Sequence, residues 1–192
     1  MRVLFLIRST AHFPYHESTI RELCADGHTV DVLFDRVWSK NDSGKAAYAF
    51  AASNPSVTLG WSMRRTDIWR RPLFAARELM SYASYLNRPN QDQFYAERWA
   101  RYIPARRRFK SSSTLRNLLA SPFARSALKS FIRLFPADGS IKTWLKENAY
   151  DAVVASPTNM RFSEETEFIK AANKLGVATV VPVLSWDNLT TK

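Results

Sequence analysis

The run Val3–Arg8 (VLFLIR) is apolar at nearly every position. A strand with one face in water alternates in polarity. One that does not is covered on both faces, as a central strand of a parallel sheet is. The next residues set the connection. Pro14 suits the first turn of a helix, where a missing N–H costs nothing, and Glu17 complements the helix dipole. Ile20, Leu23 and Cys24 recur at helical spacing, and Gly27 supplies the left-handed residue that ends it. Thr29–Asp35 (TVDVLFD) reads as a second strand. Strand, helix and strand within 35 residues make a βαβ unit with a right-handed crossover.

The same rhythm continues, with one interruption. Lys45–Ala52 is expected to be a short helix and Val57–Trp61 a third strand. Four helical patterns then occur without a strand: Leu73–Leu86, Gln93–Ile103, Thr114–Ala120 and Phe123–Phe135. Ile141–Asn148 reads as a helix and Asp151–Ala155 as a strand. Ser163–Leu175 reads as a helix, with Glu164, Glu165 and Glu167 at its start, Lys170 and Lys174 later and Gly176 after it. Val177–Leu184 is the expected fifth strand. The fold class is therefore α/β: a Rossmann-like open parallel sheet of five strands, order 3-2-1-4-5. A basic helical insertion, 64–136, separates strands three and four. A chain of 192 residues buries one full core, so 1–192 reads as a single domain.

Charge is concentrated in the insertion. The chain carries 28 Lys and Arg against 17 Asp and Glu, and sixteen of those cations lie between Arg64 and Arg133 against four acids, Asp67, Glu78, Asp92 and Glu97. Arg64-Arg65, Arg70-Arg71 and Arg106-Arg107-Arg108 are interleaved with Trp69, Phe94, Tyr95, Trp99 and Tyr102. Such a field attracts anions. A solvated face is the plainest reading. An anionic membrane surface comes next, because Ala124, Leu128, Phe131, Ile132 and Phe135 share one helix face flanked by Arg125, Lys129 and Arg133. Nucleic acid ranks last, since no RNP, helix-turn-helix or zinc-finger pattern accompanies the charge.

Several classes fall away. The lone Cys24 builds neither a disulfide framework nor a Cys-based zinc site. The longest apolar stretches, Val3–Ile7 and Val177–Leu184, are far short of the roughly 18–20 residues that span a bilayer. Val3–Ile7 also runs into Arg8 and a polar loop, unlike a signal peptide. A cytoplasmic protein is expected, peripheral on the membrane face if the basic block meets lipid. The glycines stand at 27, 44, 60, 139 and 176, so neither G-x-G-x-x-G nor a P-loop exists. Strand one lacks the acidic pair of a receiver domain.

In an open sheet of this order the ligand site lies outside the carboxyl ends of the strands, at the switch between strands one and four. The loops Ser9–Phe13, Ser156–Arg161 and Ser185–Lys192 should share that rim. His12 is the candidate general base, its pKa pushed down by the next helix's amino terminus; otherwise it is a loop histidine bonded to backbone. Arg8, Ser9 and Thr10 accompany it. Ser156, Thr158 and Asn159 offer hydroxyl and amide groups to a sugar or phosphate, or only start a helix. In Ser185-Trp186-Asp187-Asn188, Asp187 is either a carboxylate base or part of a turn bonded to its own backbone. His12 and His16 stand four apart without a third ligand, so no metal is expected. His28 reads as structural, and Asn188-Leu-Thr190 as an incidental glycosylation match.

The opening VLFLIRSTAHFPYHESTIRELCADGHTVDVLFD resembles the start of GT-B glycosyltransferases: strand one, a loop carrying a His, then a helix ending L-x-x-x-G-H-x-V. The ending VVPVLSWDNLTTK resembles a surface-polysaccharide glycosyltransferase-like group related to the CDP-glycerol glycerophosphotransferases and UDP-GlcNAc 2-epimerases. The resemblance covers roughly residues 1–35 and 150–192. It implies a two-domain enzyme whose amino-terminal half binds the acceptor, a cell-surface glycan or lipid-linked molecule, while a carboxyl-terminal half binds the nucleotide-sugar donor. His12 falls where many members carry the base, and Ser156–Asn159 and Ser185–Asn188 would line the cleft. No metal or cofactor beyond the donor is implied. The chain stops before a donor-binding half, which the same chain or a separate subunit would then supply. Two other readings stay open: a non-catalytic adaptor docking on anionic membrane or nucleic acid, and half of a sugar-nucleotide epimerase.

Overall fold

The computed structural model describes residues 1–36, 39–40, 43–87, 112–156 and 164–183. Within them the strands are β1 (Arg2–Ile7), β2 (Thr29–Phe34), β3 (Val57–Trp61), β4 (Ala152–Ser156) and β5 (Ala178–Val180). The helices are α1 (Glu17–Ala25), α2 (Lys45–Ser53), α3 (Arg70–Leu86), α4 (Ser113–Ala120), α5 (Pro122–Leu134), α6 (Gly139–Asn148) and α7 (Glu165–Leu175). The five strands form one parallel sheet in the order β3-β2-β1-β4-β5. β1 lies in the middle, its Ile7 level with Phe34 of β2 on one side and with Ser156 of β4 on the other.

The lack of alternation in β1 has the expected cause. Val3, Phe5 and Ile7 join Val30, Val32 and Phe34 on one face, under Phe13, Ile20 of α1 and Phe50 of α2. Leu4 and Leu6 join Leu33, Val153 and Ala155 on the other, under Ile141 and Leu145 of α6 and Phe168 of α7. Successive side chains point to opposite faces, and here both faces are core. Each fully buried Leu, Ile or Phe contributes about 1.5–3 kcal/mol, so this sheet with its two helical layers is the main store of stability. The amino ends of the strands are tied by charge. Arg2 Nε and Nη2 donate to Asp31 Oδ2 at 2.9 and 2.7 Å, and the Tyr150 hydroxyl donates to the same oxygen at 2.7 Å. Burial and that carboxylate hold the phenol far above its usual range.

Helix ends follow local chemistry. Asp138 accepts from the N–H groups of Ser140 and Ile141 and so caps α6. Gly27 and Gly176 take φ of 79° and 74° where the chain leaves α1 and α7, conformations that a Cβ disfavours.

Two expectations are corrected. Pro14 does not open α1; it sits inside a separate 3-10 turn, Thr10–Tyr15, and α1 begins at Glu17. The aromatic Phe13, buried under Phe34 and Phe50, holds that turn down and breaks the pattern that a continuous helix would need. β5 is also shorter than Val177–Leu184, covering three residues. It is an edge strand and Pro182 has no N–H to donate, so pairing stops before it. The helix expected over Gln93–Ile103 lies outside the described residues.

The chain divides into two compact units, one of residues 1–65 with the chain from Ala137, the other essentially Thr66–Pro136. In the second, α3 packs on α4 and α5. Tyr82, Ala83, Tyr85 and Leu119 are its buried centre, with Leu128 of α5 against them. The side-chain amide of Asn87 donates to the carbonyls of Ala83 and Ala120, joining the ends of α3 and α4. The rings of Trp69 and Phe135 meet at 4.3 Å between centroids. No helix among the described residues is long and apolar enough to cross a membrane.

Candidate functional site

The carboxyl end of β1 continues into Arg8-Ser9-Thr10 and the 3-10 turn. The Arg8 N–H donates to the Ser156 carbonyl at 3.3 Å, so the ends of β1 and β4 lie side by side at the topological switch. Alternation then divides the polar residues between two faces. Arg8 follows the parity of Leu4 and Leu6, toward α7. Ser156 follows Ala152 and Val154, toward α1.

On the α1 side the turn is built around His12. Its N–H donates to the Ser9 carbonyl at 3.0 Å, and its Nδ1 lies 2.7 Å from Ser9 Oγ. The ring is half-buried, and burial followed by the charge of Arg8 lowers its pKa. The direction is the one expected from the sequence; the cause is burial and a guanidinium, not a helix amino terminus. A neutral imidazole results. In the tautomer whose Nδ1–H donates to Ser9 Oγ, Nε2 carries the lone pair and can accept a proton.

Behind His12, His16 is 3% exposed and Ser156 1% exposed. His16 packs edge-on against Phe5. Among the described residues, His16 Nε2 and Ser156 Oγ make no hydrogen bond. Burial, then the neighbouring His12, lowers the His16 pKa. The sign of its effect on stability comes from linkage. Below the ordinary value of 6.5 the unfolded chain takes up a proton that the folded one resists. The contribution is whole above that pH and is lost as pH falls from it toward the lower value of the folded state. His12 acts in the same sense. Urea midpoints should fall on acidification from neutrality to about pH 5, each group adding at most roughly 1.4 kcal/mol per pH unit. His16→Gln should flatten that slope, and an unchanged slope would remove His16 as its source.

Thr10 is buried, and its N–H donates to Ser39 Oγ at 3.2 Å, joining two loops above the strand ends. The structure thus brings Arg8, Ser9, Thr10, His12 and Ser156 to one end of the sheet. Thr158, Asn159, Ser185, Trp186, Asp187 and Asn188 lie outside the described residues.

The α7 side holds a charge cluster that the sequence pattern does not reveal. Arg64 Nη2 donates to both oxygens of Asp35, at 2.6 and 2.7 Å. Arg65 Nη1 donates to Glu167 Oε2 at 3.0 Å, with both side chains at 3% exposure or less. Burial lowers the Arg8 pKa, and Glu165 and Asp35 oppose that shift. A cavity of about 10 Å³, bordered by Leu6, Leu33, Asp35, Ser62, Glu165 and Phe168, has room for a water and not for a sugar. This side is therefore a structural ion-pair layer. It also corrects the basic block: Arg64 and Arg65 spend their charge on Asp35 and Glu167, in the sheet unit. The clue in the sequence is Asp35, an acid directly after an apolar strand. Glu165 and Glu167, by position alone, only complement the helix dipole.

Among the described residues no group of three His, Cys, Asp or Glu could hold a metal ion. Comparisons with protein-family models, with curated proteins and with solved structures found no match.

Proposed function

We propose that this chain is the acceptor-binding half of a glycosyltransferase, acting at the cytoplasmic side on a cell-surface glycan or lipid-linked acceptor. The donor would be a nucleotide-sugar held by a second, donor-binding half, on the same chain or another. The observation that carries this reading is His12: an imidazole kept neutral by burial and Arg8, oriented by Ser9 and set at the switch between β1 and β4. In the proposed reaction His12 Nε2 takes the proton of the acceptor hydroxyl as its oxygen attacks the anomeric carbon, and the bond from that carbon to the leaving nucleoside diphosphate breaks. Ser9 fixes the ring. Ser156, 1% exposed, would back the ring and not meet the acceptor, whose side of the cleft would fall to the loop after it.

The test is turnover with the donor-binding half present. His12→Ala is expected to lower kcat at least about tenfold, given general-base contributions of 10²–10⁴. Ser9→Ala should cost less, because the base remains and only its orientation loosens. Unchanged turnover in His12→Ala would take the base away from this residue. Isomerisation of the nucleotide-sugar with no acceptor present would assign the chain to a sugar-nucleotide epimerase instead.

A further inference from the structure

The 3-10 turn that carries His12 has three sides, because side chains three residues apart eclipse one another in that geometry. Thr10 and Phe13 form the inward row and are buried, and His16, next in step, is buried too. Ala11 and Pro14 form the outward row, and both are exposed. His12 and Tyr15 form the third. Their ring centroids lie 6.1 Å apart, with the planes at 47°. His12 turns its Nδ1 edge to Ser9, so its Nε2 edge faces away from that residue. Tyr15 is 67% exposed. A phenol so open gains little stability where it stands, yet its backbone is fixed from both sides by buried Phe13 and buried His16. The exposed residues of the turn, Ala11, Pro14 and Tyr15, carry no charge.

We propose that Tyr15 is the platform on which the reacting sugar of the acceptor lies, its ring face against the phenol and a hydroxyl at His12 Nε2. The inference rests on His12 as the base and adds the class of acceptor: a cyclic sugar. An aromatic face and a proton acceptor side by side ask for a ligand with an apolar face and a hydroxyl at its edge. A sugar ring has both. Its C–H groups form a patch that meets the electron-rich face of an aromatic, while its hydroxyls project from the rim. An acyclic polyol has hydroxyls and no face. A lipid alcohol has apolar length and a hydroxyl only at its end. The separation of 6.1 Å lets one sugar residue reach both rings. Because the platform is fixed before binding, its own ordering adds little to the cost of taking up the sugar.

The test is saturation-transfer NMR on the full chain, with the methyl glycosides of glucose, galactose, mannose, rhamnose and N-acetylglucosamine at millimolar concentration. Ribitol and glycerol phosphate serve as the acyclic probes. At least one glycoside is expected to receive saturation at its ring C–H protons, and the acyclic probes none. Tyr15→Ala should weaken that glycoside about three- to tenfold, the range for losing one aromatic contact. Tyr15→Phe keeps the face and should bind nearly as the parent does. The position is exposed, and circular dichroism checks that both variants fold. Absence of saturation in every glycoside would overturn the proposal. So would Tyr15→Ala binding like the parent, Tyr15→Phe failing as badly as Tyr15→Ala, or a preference for the acyclic probes. Turnover with the donor-binding half present separates this inference from the one it rests on. Activity lost in His12→Ala, with the acceptor KM unmoved in Tyr15→Ala, would keep the transferase and sink the platform. Glycoside binding that depends on Tyr15, without turnover, would keep the platform as a sugar site and sink the transferase.

Discussion

Phe13→Ala is expected to lower the free energy of unfolding by about 3–5 kcal/mol, the range for removing a fully enclosed phenyl ring. Phe13 has no exposed surface, and its ring meets Phe50 at 5.4 Å and Phe34 at 6.4 Å between centroids. The residue belongs to the 3-10 turn, whose short span holds few backbone bonds of its own. The ring is what presses that turn against β2 and α2. The loss should therefore appear as a lower urea midpoint with an unchanged slope. Phe123→Ala, at an exposed position, is the control and should change stability by no more than about 0.5 kcal/mol. A Phe13→Ala protein as stable as the parent would mean that the turn is held from elsewhere. Because Ser9 and His12 ride on the same turn, Phe13→Leu, which keeps most of the volume, would report on the site with less damage.

Glu167→Ala should cost a similar amount, about 3–5 kcal/mol, for an electrostatic reason. Arg65 and Glu167 are almost wholly withdrawn from water, 102 residues apart in sequence. Removing the carboxylate takes one counter-charge from a buried guanidinium, and part of the desolvation already incurred is no longer offset. The Arg65 N–H also donates to Glu164 Oε2 at 3.3 Å, which a side-chain change keeps. Arg65→Met/Glu167→Leu removes both charges and refills the space, and should recover most of the loss. A double-mutant cycle by urea denaturation decides the matter. If the double variant is as damaged as Glu167→Ala, the cost lies in packing and not in charge.

The strand order is legible in the sequence because β1 shows no alternation: an apolar run covered on both faces fits few places other than the middle of a parallel sheet. Helix ends are legible where a single residue fixes them, as Gly27 and Gly176 do. The 3-10 turn is not, because Pro14 suits the start of an α-helix equally well. What decides is Phe13 reaching Phe34 and Phe50, a tertiary contact that local pattern does not carry. The ion pairs are hidden for the same reason. Asp35–Arg64 and Arg65–Glu167 join residues 29 and 102 positions apart, and a tally of charge by position counts both arginines as surface. On α5 the periodicity identifies the apolar face; what lies over it is a question of packing. For the site, the direction of the His12 shift can be read from its place after β1, whereas the part played by Arg8 requires the turn's actual path.

The contact between Trp69 and Phe135 also bears on the order in which the chain folds. β1 cannot pair with β4 until nearly 150 residues of chain have been brought round, as Val3 opposite Ala152 requires. Pairings so remote in sequence form slowly. The helices of 66–136 pack on one another, α3 against α4 and α5, and the two rings clasp the segment close to its ends. Once that clasp closes, the two parts of the sheet are joined by what amounts to a short linker. Loop closure becomes more expensive by only about 0.6 kcal/mol for each doubling of a flexible loop, so the thermodynamic gain is slight. The larger effect is independence: helices can be added to or lost from the clasped segment while the strands on either side still find each other.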